Sequence, residues 1–397
     1  MLSDLYPPLL GGIERHVQSL SKGLSRRGLE VSICTIRQRQ LARYEEEEGV
    51  KIYRLDGFFQ RIPFLYDDPM RKWHPPARDW LIARKLSRIV KEEKPDIIHA
   101  HGWILYSVLP LTSGLTIPVV MTLHGYDLFC PRKTLMRGNT ICDEPFTRGC
   151  IPCLREPHGL VRSLAAYYGV KINRNRLKYV DKFIAVSSFS GEAHIKHLGI
   201  SDKQMAVIPN FYDPDAERAD KKTEDLPNEF ILFVGWLMPH KGIDLLIRAY
   251  QKLNTKTKLL VIGIEQPDYH YQSTGNILVV KNAPHDIVMQ AMSKCKFAVF
   301  PSVSPDTCPT VAFEAMSQKK AIIATSVGGL KDIVVDGETG IVVPPNNSDK
   351  LAEAIYQLLQ EPKVASKMGE HGYERYIRNY TPDVIIPKII DVYESLI

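Results

Sequence analysis

At 397 residues, 44% hydrophobic and 24% charged, the chain has the composition of a globular protein and is too long for one ordinary domain. No apolar run approaches the ~20 residues of a membrane-spanning helix, and the N-terminus is neither basic nor followed by a long apolar core, so a secretory leader is not expected and the chain reads as cytoplasmic. The net charge of +6 is uneven, with 29 Lys/Arg against 19 Asp/Glu in residues 1–190 and 22 against 26 in residues 191–397. A basic first half fits peripheral contact with an anionic membrane or a lipid phosphate, or ordinary surface variation; no helix-turn-helix, RRM or zinc-finger spacing points to nucleic acid.

Strand-like runs alternate with amphipathic stretches from end to end, the pattern of parallel α/β sheets. Met1-Leu2-Ser3-Asp4 runs straight into a Pro-Pro and Gly-Gly loop, which in a doubly wound domain follows the central first strand. That strand is therefore expected to be cut short, leaving ladder groups unpaired. Further strands are expected at Leu29–Ile36, Val50–Leu55, Asp96–His101, Pro118–His124, Lys182–Val186 and Met205–Ile208. A helix is expected over Ala77–Glu92, between Pro76 and Pro95. Residues 211–228, rich in Pro, Asp, Glu and Lys, read as a hinge linker between a domain at 1–210 and one at 229–380. In the second half, strands are expected at Phe230–Val234, Lys258–Gly263, Ile277–Lys281, Phe297–Phe300, Ala321–Thr325 and Gly340–Val343.

The most informative segment is Phe300 to Met316. A strand ends near Ser302 and a helix is expected to start with Pro309 at its first position, where proline is favoured. The N–H groups of Thr310 and Val311 then form an anion site at the helix end. Glu314 shares their face, about one turn on, where it can accept hydrogen bonds from ribose hydroxyls. Asp306 in the preceding loop can accept from a second polyol such as a sugar.

The spacing from Asp306 to Glu314, followed by Ala-Met and by Ala321 to Gly329, resembles the donor signature of glycosyltransferase family 4. That resemblance implies a GT-B fold: two facing Rossmann-like domains with a cleft between them, and a last helix at 381–397 returning to the first domain. It implies a retaining, hexosyltransferase-like enzyme that moves a sugar from a nucleotide-diphosphate sugar (UDP, GDP or ADP type) to a glycan, lipid-linked or other hydroxyl acceptor, as in cell-surface polysaccharide or glycolipid synthesis, with no catalytic metal. Asp306 would touch the donor sugar, and Glu314 the ribose. Phe233-Val-Gly235-Trp236 and Lys241-Gly242 are similar to the family's diphosphate-holding segment, where Gly235 admits close backbone approach and Lys241 supplies charge. Trp236 stands where the family has Arg, and an indole carries no charge. A nucleotide-sugar-binding protein with weak or no transfer is therefore the alternative. In the first half, Gly11-Gly12-Ile-Glu-Arg15-His16 resembles the family's glycine-rich loop and Thr122-Leu-His124-Gly125 its donor-facing histidine. Catalytic roles fall on His124, Lys241 and Asp306, and donor binding on Gly12, Gly235, Lys241, Thr310, Val311 and Glu314. Arg15, His16, His101 and Ser187 lie on the acceptor side.

Cys130, Cys142, Cys150 and Cys153 crowd one Pro-, Gly- and Arg-rich loop. The loop lacks the apolar surface to order itself, and a tetrahedral thiolate site would order it outright. A structural zinc, an iron–sulfur cluster, disulfides and unliganded thiols are the four readings.

Overall fold

The computed structural model describes residues 1–397 except 10, 39, 67–71, 113–115, 139, 148, 215–224 and 267–268, and the backbone alone at 110–112 and 156–158. Most of the expected linker therefore lies outside the described residues. The chain forms two compact units, one of Met1–Arg137, Cys142–Asn210 and Ile385–Ile397, the other of Gly138–Ile141 and Phe211–Val384.

The first unit runs β1 (Leu2–Ser3), α1 (Gly12–Ser25), β2 (Val31–Ile36), β3 (Tyr44–Glu47), β4 (Val50–Leu55), α2 (Trp80–Glu93), β5 (Ile98–His101), α3 (Leu105–Thr112) and β6 (Val119–Leu123). A short hairpin, β7 (Met136–Arg137) and β8 (Thr140–Ile141, which counts with the second unit), leads to α4 (Cys150–Asn173), which turns at Gly159, and then to β9 (Lys182–Ala185), α5 (Ser188–Leu198) and β10 (Met205–Val207). The sheet order is β10-β9-β6-β5-β1-β2-β4-β3, parallel except at β3. β1 is only two residues long, yet it pairs on both sides, Leu2 with Cys34 and with Ala100. A cavity of about 50 Å³ lies beside Met1 and Leu2. β3 breaks the expected pattern: Tyr-Glu-Glu-Glu has no apolar alternation, because it is an antiparallel edge strand with one face in water.

The second unit runs β11 (Phe230–Trp236), α6 (Ile243–Gln251), β12 (Lys258–Ile264), β13 (Ile277–Lys281), α7 (His285–Lys294), β14 (Ala298–Phe300), α8 (Thr310–Ser317), β15 (Ile322–Thr325), α9 (Leu330–Ile333), β16 (Gly340–Val343), α10 (Ser348–Gln360) and α11 (Pro362–Asn379). Its sheet, β13-β12-β11-β14-β15-β16, is wholly parallel and has the doubly wound strand order, so ligand chemistry belongs at the strands' C-terminal ends. Burial on both faces explains the near-continuous apolar runs at Phe230–Phe233 and Leu259–Ile262.

The last helix, α12 (Pro382–Glu394), enters the first unit from Ile385 onward. Ile385, Ile386 and Ile389 are buried there. A Cβ on Gly23 of α1 would stand 2.2 Å from the Ile386 Cδ1, so a glycine lets these helices approach closely.

Candidate functional site

In the second unit, β11 and β14 aim their following loops at the same end of the sheet. After β11 a short turn, Pro239–Lys241, ends at Gly242 with φ of +77°. A Cβ there would fall 1.8 Å from the Pro301 carbonyl oxygen, so glycine permits the Lys241 turn to seat on the β14 loop. Val303 and Ser304 N–H groups donate to the His240 carbonyl at 2.9 and 3.1 Å. This seat brings Lys241 to Asp306: the ammonium donates to Oδ1 at 2.5 Å, while Ser302 Oγ donates to Oδ2 at 2.7 Å. Burial works against the Asp306 charge, but Lys241, Ser302 and the nearby His240 outweigh it and hold the carboxyl below its usual range. The sequence reading gave Asp306 and Lys241 separate partners; the structure couples them, and both carboxylate oxygens already accept a hydrogen bond. Gly328, with φ of +54°, allows Gly329 N–H to reach the Asp306 carbonyl at 2.7 Å.

α8 begins at Thr310, and Pro309 is its N-cap rather than its first residue, with ψ of 111°. No side chain caps this end, so the N–H groups of Thr310 and Val311 stay available to an anion. One turn down, Glu314 is 5% exposed. Its Oε1 lies 3.4 Å from Nε2 of His285, the first residue of α7, and Oε2 has no hydrogen-bond partner among the described residues. A buried carboxylate oxygen without a donor costs about 1–3 kcal/mol, which a ligand hydroxyl would remove. Around Gly235 a Cβ would meet only the Phe233 ring, at 3.4 Å, so the protein itself does not demand a glycine there. Trp236 ends β11 half-exposed. Lys281, at the end of β13, is bound to Glu265 at 2.6 Å.

In the first unit the polar groups are imidazoles. His99 and His101 alternate along β5 and so share one sheet face; His124 follows β6, and His16 comes from α1. His101 Nδ1 and His124 Nε2 are 3.0 Å apart, and the His16 ring centroid is 5.0 Å from that of His124. His101 Nε2 has no hydrogen-bond partner among the described residues. Beneath them His99 bridges Tyr393 Oη at 2.6 Å and Thr122 Oγ1 at 2.7 Å. Burial lowers His16 to about 4 and pushes His101 and His124 well below 6.5, with mutual repulsion adding to it for these two. The stack is therefore neutral at pH 7 and offers hydrogen bonds, not charge. One ligand atom from each of His16, His101 and His124 lies within 4.8 Å of the others, a geometry that can also hold a transition metal.

Gly12 opens α1, and a Cβ there would meet nothing within 4 Å. Arg15 is half-buried in the first turn. Ser187 is accounted for locally: it is 3% exposed and its Oγ accepts Ser190 N–H as the N-cap of α5. Asp4, which the sequence reading passed over, accepts Trp103 and Ile104 N–H groups at 3.1 and 2.7 Å, and burial raises its carboxyl to about 7. His99, His240 and His285 were also missed. The His-x-His alternation on β5 was a usable signal for His99, whereas His285 meets Glu314 only through the fold.

Residues 10–216 match the family Glycosyltransferase Family 4, and residues 215–375 match Glycosyl transferases group 1. The chain belongs to glycosyltransferase family 4. Among its relatives, an uncharacterised glycosyltransferase of Methanocaldococcus jannaschii is 29% identical, covering 100% of this chain and 98% of the relative. The O-antigen chain mannosyltransferase C of Escherichia coli is 24% identical over 99% and 96%. Two solved structures share the fold. Sucrose-phosphate synthase from Thermosynechococcus elongatus has a TM-score of 0.73 at 19% identity, covering 100% and 99% of the two chains. HepE of Anabaena, in complex with UDP-glucose, has 0.69 at 17%, covering 99% of each. This glycosyltransferase has the GT-B fold, built of two Rossmann-like units. No described helix is long and apolar enough to cross a membrane.

Proposed function

We propose that this family 4 enzyme binds a nucleotide-diphosphate sugar on its second unit and transfers the sugar, with retention, to a hydroxyl of a glycan or lipid-linked acceptor. The observation that carries the donor half is the unsatisfied Oε2 of Glu314 one turn below an uncapped helix start. A diphosphate on the Thr310 and Val311 N–H groups puts its ribose hydroxyls near that oxygen. Departure of the diphosphate needs positive charge already in place, which Lys241 and the α8 dipole supply. Asp306 holds Lys241 on one side and leaves two of its three N–H donors for phosphate oxygens. On the first unit, the neutral imidazole of His124 is suited to hydrogen-bond a sugar hydroxyl. The UDP-glucose bound by HepE supports a UDP-type donor, with GDP and ADP as the comparison arms.

For the acceptor, a cavity of about 780 Å³ in the first unit is lined, among the described residues, by Arg37, Arg43, Arg61, Lys72 and Lys85 around one carboxylate, Asp56. That excess of positive charge favours an anionic acceptor, such as one carrying a lipid-linked phosphate. α4 supports peripheral membrane contact: Val161, Tyr168 and Ile172 are 63%, 50% and 65% exposed on one helix face beside Lys171 and Arg162.

Trp236 carries a second reading, binding of nucleotide-sugar with little transfer, because the family's guanidinium is missing. Calorimetry with UDP, GDP and ADP, on the native chain and on Glu314→Ala, tests the donor site. One nucleotide should bind, and the variant should lose about tenfold in affinity, the equivalent of a net hydrogen bond to a charged acceptor. Equal affinity in both proteins would remove the site. Binding without detectable sugar transfer or hydrolysis would favour the second reading.

A further inference from the structure

We propose that Cys130, Cys142, Cys150 and Cys153 form a structural zinc site that fixes the loop leaving β6. All four line one cavity of about 20 Å³, room for a single water-sized body, and all lie within the first unit. The four come from three local pieces. Cys130 follows a turn closed by its own N–H on the Tyr126 carbonyl; Cys142 leaves the β7–β8 hairpin with its N–H on the Leu135 carbonyl. Cys150 and Cys153 stand three apart in the first turn of α4, so both face the same side. None of the seven cysteines is in a disulfide.

The surroundings suit a thiolate cluster. Four thiolates on a divalent zinc leave a charge of −2, and among the described residues Arg132 and Arg137 line the cavity, against one carboxylate, Glu144. Arg132 Nη1 already points at Cys153 Sγ from 3.5 Å, and the α4 N-terminus adds its own positive end. The apolar support under this loop is small: among the described residues Tyr126, Phe129, Cys130, Leu135 and Ala193 form its buried cluster, with Cys142, Phe146, Phe189 and Leu198 packed at its edge. A segment this long with so little core needs another source of order. Among the described residues, His16, His101 and His124 alone bring three ligand atoms within 4.8 Å, so the sulfurs stand wider than the ~3.8 Å edge of a loaded tetrahedral thiolate site. Binding would draw them inward and release the thiol protons to solvent.

The loop begins at Asp127, whose carbonyl accepts the Trp103 indole N–H at 3.2 Å, and passes Lys133, whose ammonium lies 3.8 and 4.1 Å from the Trp73 and Trp103 rings. Pinning its far end holds these contacts in place.

Elemental analysis of protein made in zinc-supplemented medium should find about one zinc per chain, with the ion lost on mercurial treatment of the thiols. The cobalt-substituted chain should show the intense sulfur-to-cobalt charge-transfer bands and tetrahedral d–d bands of a thiolate site. Both should vanish in Cys142→Ser and in Cys150→Ser, and should persist in His101→Ala, which separates this site from the imidazole cluster. Where a serine variant fails to fold, the mercurial release on the native chain decides. Iron with sulfide, a mass lower by two hydrogens per cysteine pair, a folded metal-free chain, or cobalt bands without sulfur character would each overturn the assignment.

Discussion

The two units present the same sheet end in opposite electrical form. The second builds its site from formal charge and helix dipole, with Lys241 against Asp306 beside an uncapped helix and a buried Glu314. The first gathers four imidazoles and keeps them uncharged by burying them. Phosphate recognition needs fixed charge, while a sugar ring is recognised by hydrogen bonds that a neutral imidazole can both give and accept. Under the proposed function the contrast is between a unit that anchors and a unit that orients.

Acid gives the strongest test of that contrast. His16, His74 and His194 each sit at about 4 in the folded chain against 6.5 ordinarily, and burial holds His99, His101 and His124 well below 6.5 too. Between these values the unfolded chain binds more protons, so stability is full above about 6.5 and falls as pH drops toward about 4. Asp4, raised from 3.8 to about 7 by burial, acts in the opposite sense and loses its contribution as pH rises through that interval. The histidines outnumber it. Tryptophan fluorescence reports mainly on the first unit, where Trp73, Trp80 and Trp103 lie; its melting temperature should fall between pH 7 and pH 5. A flat or rising value would mean the stack carries charge.

Next in size is Lys241→Ala, which leaves Asp306 as a half-buried charge without its partner and should cost up to about 3 kcal/mol together with most transfer activity. Removing Asp306 as well should restore much of the stability but none of the transfer. If the double variant stays as unstable as the single one, the pair is not what holds the two loops together. The smallest effect belongs to Ser187→Ala: loss of a helix cap, about 1 kcal/mol by thermal melting, with KM for acceptor unchanged. A raised KM would return Ser187 to the acceptor side.

Legibility in the sequence followed locality. The β11 to β16 strands were readable because both faces of a parallel sheet are buried, and the Phe300–Met316 segment because the phosphate and ribose contacts proposed for it come from one stretch of chain. Pro309 was placed one residue off because proline suits both the cap and the first turn. β3 escaped because an acidic edge strand carries no apolar pattern, and Asp4 because its role depends on backbone N–H groups a hundred residues away. His285 and the coupling of Lys241 to Asp306 escaped for the same reason, since each partner comes from a different strand's loop. Of the first unit's stack, the separate histidines could be named, but not that His99 reaches Tyr393 at the far end of the chain.

That last contact has a consequence for biosynthesis. Ile385–Ile397 complete the packing of α1 and hold His99, yet they are made after the whole of the second unit. The first unit therefore cannot be finished until the whole of the second has been made, a departure from the usual N-terminal-first order of domain folding. Until those residues emerge, the apolar face of α1 around Gly23 stays open to chaperones.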